Sequence, residues 1–180
     1  VPINLMKNGK ACYVETGVWS KKAIAEAKKY GEVQVIASSA DKGFSYIPDC
    51  SDLDIPEDCD YVYICENETI NGTTWNKLPN TKGHVLVSDQ SSMFLSRPCD
   101  VSKYGLIWAG VQKNVGPAGM AVVIIRLLQL WRTNIDQYYV AGVLDDISEY
   151  AKKKIGLNKG DNYINAGMLL INLKLWRADN

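Results

Sequence analysis

In the first two-thirds of the chain, apolar residues gather in short runs, each closed by glycine, proline, aspartate or asparagine. Ala11–Glu15, "VQVIASS" at 33–39, "DYVYICEN" at 60–67, "HVLVSD" at 84–89, "GLIWAG" at 105–110 and "MAVVIIR" at 120–126 are of this kind. Their shortness and β-branched content predict strands rather than buried helices. None alternates cleanly between apolar and polar. That suits a sheet covered on both faces, hence an α/β fold. One stretch has a different rhythm. After Ser20, a candidate N-cap, "KKAIAEAKKY" predicts a helix that stops at Gly31.

Beyond Arg126 the texture changes. "LLQLW" (127–131) predicts a short helix, "YYVAGV" (138–143) a strand and "DISEYAKKKIG" (146–156) a charged helix. "AGMLLINLKLW" (166–176) predicts a strand running towards another helix. No internal repeat and no Gly/Ser linker joins the two parts. The predicted division is 1–126 and 127–180, at an abrupt boundary near Arg126–Leu127.

Composition removes several classes of function. The chain has 180 residues, the size of one ordinary domain or a large piece of a bigger protein. Twenty basic residues balance twenty acidic ones, which argues against nucleic acid or an anionic membrane as the main partner. No apolar run approaches a membrane span, and the expectation is that no signal peptide precedes Val1. Cys12, Cys50, Cys59, Cys65 and Cys99 form no C-x-x-C pair, so reduced thiols and a cytoplasmic location are expected. The single histidine, His84, reads as a surface residue, and no metal site is expected.

Lys113 lies between Gln112, Asn114 and a glycine-proline loop, just past a predicted strand. In that setting a lysine can serve as a Schiff-base nucleophile, with pyridoxal phosphate as the usual aldehyde. Such a cofactor needs an acid for its ring nitrogen, a flat face against the ring and donors for its phosphate. Asp89 ends the strand "HVLVSD", Trp19 follows the first strand in "TGVWS", Thr69 lies in "NETING", and Gln112 precedes the lysine. Each position also has a plainer reading. A lysine near glycines is usually a solvated charge, an aspartate after a strand is often a turn former, and a tryptophan is commonly core.

Longer segments carry more information. "VPINLM", "TGVWS", "FSYIPD", "YVYICENETING", "SDQSSMFLSRPCDVSKYGLIWAGVQKNVGPAG" and "VVIIR" occur in the order and spacing of the phosphoserine aminotransferase family, which residues 1–126 resemble. The resemblance implies part of the large domain of a pyridoxal-phosphate enzyme of serine biosynthesis, built on a mixed, mostly parallel sheet. It implies Lys113 as the Schiff-base lysine and the base that moves the α-proton. Asp89 is then the partner of the pyridinium nitrogen and Trp19 the stacking residue, with Thr69 and Gln112 as further cofactor contacts. The implied reaction is reversible: phosphoserine and 2-oxoglutarate exchange with 3-phosphohydroxypyruvate and glutamate. The implied partners are these small amino-acid and 2-oxo-acid substrates and a second subunit.

Family members carry a Gly-rich phosphate-binding segment and a His-Arg pair ahead of "VPINLM", and an Asn-Thr pair and a substrate arginine after "VVIIR". The expectation is therefore a weak or inactive chain lacking much of the dimer surface, with Arg97 and Arg126 structural. Residues 127–180 read differently. "LLQLWRTNIDQYYVAGVLDD", "KKKIGL" and "NYINAGMLLINLKLWR" resemble glycosyltransferase family 8, enzymes that use a metal-bound nucleotide sugar. That resemblance implies Asn165, Ala166 and Gly167 as a sugar-donor contact within a short α/β fragment. The alternative is that these three residues only shape a strand-entry turn. A chimeric chain without catalysis is the third reading.

Overall fold

The computed structural model describes residues 1–125, 140–145 and 163–171. A one-turn helix α1 (Pro2–Leu5) leads into β1 (Lys10–Glu15), α2 (Val18–Ala27) and β2 (Glu32–Ser38). A long connection reaches β3 (Val62–Cys65), then a small hairpin of β4 (Asn67–Glu68) and β5 (Thr73–Thr74). β6 (Leu86–Asp89), β7 (Leu106–Gly110) and β8 (Ala121–Ile125) complete one six-stranded sheet in the order β2-β1-β3-β6-β7-β8. Every neighbouring pair is parallel except β7–β8, which is antiparallel. The expected mixed, mostly parallel sheet is therefore present.

Its topology matters for function. From β1 the chain crosses outward through α2 to the edge strand β2, then returns to place β3 on the other side of β1. The strand order reverses between β1 and β3. In open α/β sheets a ligand crevice forms beyond the carboxyl ends of the strands at such a reversal.

Successive residues of the central strands point to opposite faces, and both faces are covered, which is why the apolar runs do not alternate. Tyr13, Tyr63, Val87 and Leu106 pack with Ile24 and Ala27 of α2. Val14, Ile64, Leu86 and Ile107 pack on the other side with Cys50, Leu53, Trp75 and Tyr104. Tyr13 stacks on Tyr63 with ring centroids 4.7 Å apart, and its hydroxyl lies 2.9 Å from that of Tyr61. Each fully buried aliphatic side chain such as Ile64 contributes about 1.5–3 kcal/mol.

The helix departs from expectation in a useful way. It starts at Val18 and ends at Ala27, so Ser20 is inside the first turn rather than at the N-cap. Ser20 Oγ accepts from the amides of Thr16 and Gly17, the back-reaching half of a capping box. Trp19 thus sits on the helix and not in a loop. His84 is half-buried, with Nδ1 3.0 Å from the Thr81 carbonyl oxygen, rather than a free surface residue.

β9 (Val140–Asp145) and β10 (Tyr163–Ile171) form a separate antiparallel pair, overlapping the strand expected at 138–143 and the first part of the segment 166–176, whose remainder lies outside the described residues. The helices expected at 127–131 and 146–156, and Arg126, lie outside the described residues.

Candidate active site

β1, β3, β6 and β7 are consecutive neighbours running in one direction, so their carboxyl ends share one edge of the sheet. Trp19 follows β1, Thr69 follows β3 and the short β4, Asp89 is the last residue of β6, and Gln112 and Lys113 lie in the turn after β7. Five positions scattered over ninety-five residues of sequence are gathered there by parallel pairing alone.

The first turn of α2 is held by side chains from the β4–β5 segment. Gly17, the N-cap, has no side chain to offer its helix. The carboxyl of Glu68 takes its place, accepting from the amides of Trp19 and Ser20 at 2.8 Å each. Asn71 Oδ1 accepts from the Val18 amide at 3.0 Å. Glu68 is wholly buried, and a Cβ on Gly17 would lie 2.5 Å from its Cδ, so only glycine admits this approach. Trp19 Nε1 then donates to Thr69 Oγ1 at 2.9 Å. Trp19 is 37% exposed, and the Lys22 ammonium lies 4.8 Å from its ring centroid, so a cation covers part of a solvent-accessible ring.

Asp89 accepts from the Ser91 amide at 2.8 Å. Burial pushes its carboxyl above the usual aspartate range, opposed by the hydrogen bonds from Ser91 and reinforced by the negative charge of Glu68. No lysine or arginine among the described residues pairs with it. A largely buried carboxyl without a cation is suited to receive one.

Glu66 organises the strand ends below Asp89. Its Oε1 accepts from Ser88 Oγ at 3.0 Å, Gln90 Nε2 at 2.9 Å and the Tyr104 hydroxyl at 2.6 Å. Arg97 Nη2 approaches its Oε2 at 3.6 Å and donates to the Trp75 carbonyl at 2.6 Å, which gives that arginine an internal structural role. Burial, and then the bond to Glu66, push the Tyr104 phenol far above its ordinary range.

The Lys113 turn is tied to the same network. The Gly110 amide donates to Ser91 Oγ at 3.0 Å, Asn114 Nδ2 donates to the Phe94 carbonyl at 2.7 Å, and the amides of Val115 and Gly116 close on the Val111 carbonyl. Lys113 and Gln112 are exposed. The structure joins Trp19 to Thr69 directly and links Asp89 to the Lys113 turn through Ser91. Lys113 itself makes no ion pair or side-chain hydrogen bond among the described residues.

Glu66, Glu68 and Asn71 were not singled out by sequence reasoning. The available signal was "CENE", two acids one residue apart directly after an apolar strand, where burial is expected to continue. Asn165, Ala166 and Gly167 lie within β10, with Asn165 opposite Val143 and a register irregularity between Asn165 and Leu169, not in a strand-entry turn. Among the described residues no group of three or more His, Cys, Asp or Glu could hold a metal ion, and no helix is long and apolar enough to cross a membrane.

Comparison with known proteins identifies the family. A family model described as Aminotransferase class-V matches residues 1–167. Phosphoserine aminotransferase of Acidithiobacillus ferrooxidans is 52% identical over 127 residues, covering 70% of this chain and 35% of that protein. The structure of phosphoserine aminotransferase from Bacillus circulans subsp. alkalophilus superposes with a TM-score of 0.67 at 41% identity, covering 70% of this chain and 35% of that one. A phosphoserine aminotransferase from Trichomonas vaginalis, solved with pyridoxal phosphate bound, gives 0.59 at 36% identity, over 68% and 35%. The chain spans about a third of the length of the curated relatives it matches. The family model passes the expected boundary at 126–127 and takes in Asn165–Gly167, so it lends the glycosyltransferase resemblance no support. With nearly its whole length matched, the chain belongs to the class-V aminotransferases.

Proposed function

We propose that this chain forms the sheet-edge part of a pyridoxal-phosphate site and serves phosphoserine:2-oxoglutarate amino transfer, as its relatives' names suggest. The observation that carries the reading is the alignment of Trp19, Thr69, Asp89, Gln112 and Lys113 along the carboxyl ends of four adjacent parallel strands. The residues fit the cofactor. Asp89 is a largely buried acid with no cation beside it among the described residues, Trp19 offers a partly exposed aromatic ring, and Lys113 is an exposed amine with no ion pair among the described residues.

Bound pyridoxal phosphate supplies a sink for the electrons left when a substrate α-carbon loses its proton. Asp89 keeps the ring nitrogen protonated. Trp19 would supply the aromatic surface that holds the ring. The Thr69 hydroxyl and the Gln112 amide donate to the cofactor's oxygens. Lys113 would be the amine that holds the cofactor, and its Nζ would also serve as the base for the substrate α-proton. Serine biosynthesis, a cytoplasmic location and pairing with a second subunit belong to the same proposal. So does a boundary near residue 126, which accords with relatives that align over 70% of the chain.

The test is a titration with pyridoxal phosphate followed by visible absorbance. The wild-type chain gains a band that Lys113→Ala lacks and that Asp89→Asn forms only at much higher cofactor concentration. A wild-type chain that gives no band, or a Lys113→Ala band of equal strength, overturns the proposal.

A further inference from the structure

Glu68 has no place among the expected cofactor contacts, yet it is wholly buried and spends both oxygens on one helix turn. A helix N-terminus with free amides is an anion site. Here the Val18, Trp19 and Ser20 amides are all occupied, by Asn71 and Glu68, and Lys21 bonds back to the Gly17 carbonyl at 3.0 Å. The start of α2 is therefore closed to a phosphate, and the amides act as an anchor instead.

What they anchor is Trp19. Its amide is bound to Glu68 and its indole N–H to the next residue, Thr69. Two bonds to adjacent residues fix both the start and the tip of the side chain against the β4–β5 segment. The second bond also has a polarity. The indole N–H can only donate, so Thr69 Oγ1 accepts from it, and the hydroxyl hydrogen is left to point at an acceptor elsewhere.

We infer that Glu68 is a positioning residue: by clamping the first turn of α2 it holds Trp19 in place, and through the Trp19 indole it commits the Thr69 hydroxyl to donate to a bound ligand oxygen. This inference rests on the proposed cofactor site, although its central geometry concerns the chain alone. It goes beyond that site because Glu68 is not among the cofactor contacts, and the Trp19–Thr69 bond supplies the reason that the Thr69 hydroxyl is free to donate.

The test uses the full chain and the variants Glu68→Gln, Glu68→Asp, Trp19→Phe and Glu68→Gln combined with Trp19→Phe. The Trp19 indole N–H resonance, identified by its loss in Trp19→Phe, is followed without cofactor. Binding of pyridoxal phosphate is then followed by fluorescence quenching. Glu68→Gln is expected to shift the indole resonance and weaken cofactor binding roughly tenfold, the worth of about one hydrogen bond to a charged group. In the Trp19→Phe background the same substitution is expected to cost much less, because its effect travels through the indole. An unmoved indole resonance in Glu68→Gln, or an equal loss of binding in both backgrounds, overturns the inference. Should the Glu68 variants not fold, amide exchange in the wild-type chain decides it. Trp19 and Ser20 amides as protected as those of β3 support the clamp, and exchange at the rate of open loops refutes it. A wild-type chain that binds no pyridoxal phosphate sinks the proposed function, while the indole resonance and amide exchange still judge the clamp.

Discussion

Replacing Glu66 separates the roles of acceptor and charge at the base of the site. Three donors converge on one oxygen, from Ser88, Gln90 and Tyr104, and all three residues are buried. Glu66→Ala leaves them facing a cavity. Each orphaned buried donor costs about 1–3 kcal/mol. Gln90 keeps a weak partner in Cys99 Sγ at 3.6 Å, and some relaxation follows, so the expected loss is about 3–5 kcal/mol. Glu66→Gln keeps the shared acceptor and loses only the 3.6 Å approach to Arg97, whose side chain is 42% exposed. An ion pair of that length and exposure is worth about 0.5–1 kcal/mol. The assay is urea unfolding, with the midpoint shift read at constant slope. Glu66→Gln as damaging as Glu66→Ala would show that charge, not acceptance, holds the network. A Glu66→Ala loss below about 1 kcal/mol would refute the claim that this residue braces the strand ends.

Two glycines give opposite expectations from similar contacts. Gly17→Ala puts a methyl group 2.5 Å from Glu68 Cδ and 2.6 Å from Asn71 Oδ1, both committed to the helix, so a loss of about 1–3 kcal/mol is expected in the same urea assay. Gly17 has φ 169°, ordinary extended backbone, so the cost is steric alone. Gly110→Ala meets only the Gln112 amide, 2.8 Å away on an exposed side chain, and is expected to cost under about 0.5 kcal/mol while weakening cofactor binding. Asp89 sets a pH dependence. Its folded pKa lies above the ordinary 3.8, so its contribution is fully present below 3.8 and is lost as pH rises through the folded value. Asp89→Asn is therefore expected to gain stability over the wild-type chain as pH rises from 3.8 towards neutrality, in urea melts without cofactor, and a constant difference would contradict this. The thiols divide by burial: Cys99 is exposed and Cys12, Cys50, Cys59 and Cys65 are buried, so a thiol reagent should label one site quickly and the other four only on unfolding.

Much of the sheet was readable because its strands are buried on both faces and so appear as unbroken apolar runs, as in "YVYIC" and "HVLV". The proposed site positions fall together for a related reason. Parallel strands present all their carboxyl ends at one edge, so residues just past each run share a neighbourhood. The start of α2 was not readable, because Ser20 has the local character of an N-cap while the groups that fix the helix come from Glu68 and Asn71, about fifty residues away. Nor did Glu66 stand out. An acid after a strand reads as a turn residue until the tyrosine, glutamine and serine that satisfy it are brought together by pairing of β3, β6 and β7. His84, expected at the surface, is half-buried, with Nδ1 3.0 Å from the Thr81 carbonyl oxygen of its own turn.

The central claim is that Lys113 is the amine of a pyridoxal-phosphate site on this sheet edge. Incubation of the chain with pyridoxal phosphate, reduction with borohydride and peptide mapping by mass spectrometry test it most directly. The account predicts one dominant phosphopyridoxyl label, on Lys113 in the peptide containing "GVQKNVGPAG", lost in Lys113→Ala and reduced in Asp89→Asn. Label spread over the surface lysines, or concentrated on Lys22 beside Trp19, would contradict it.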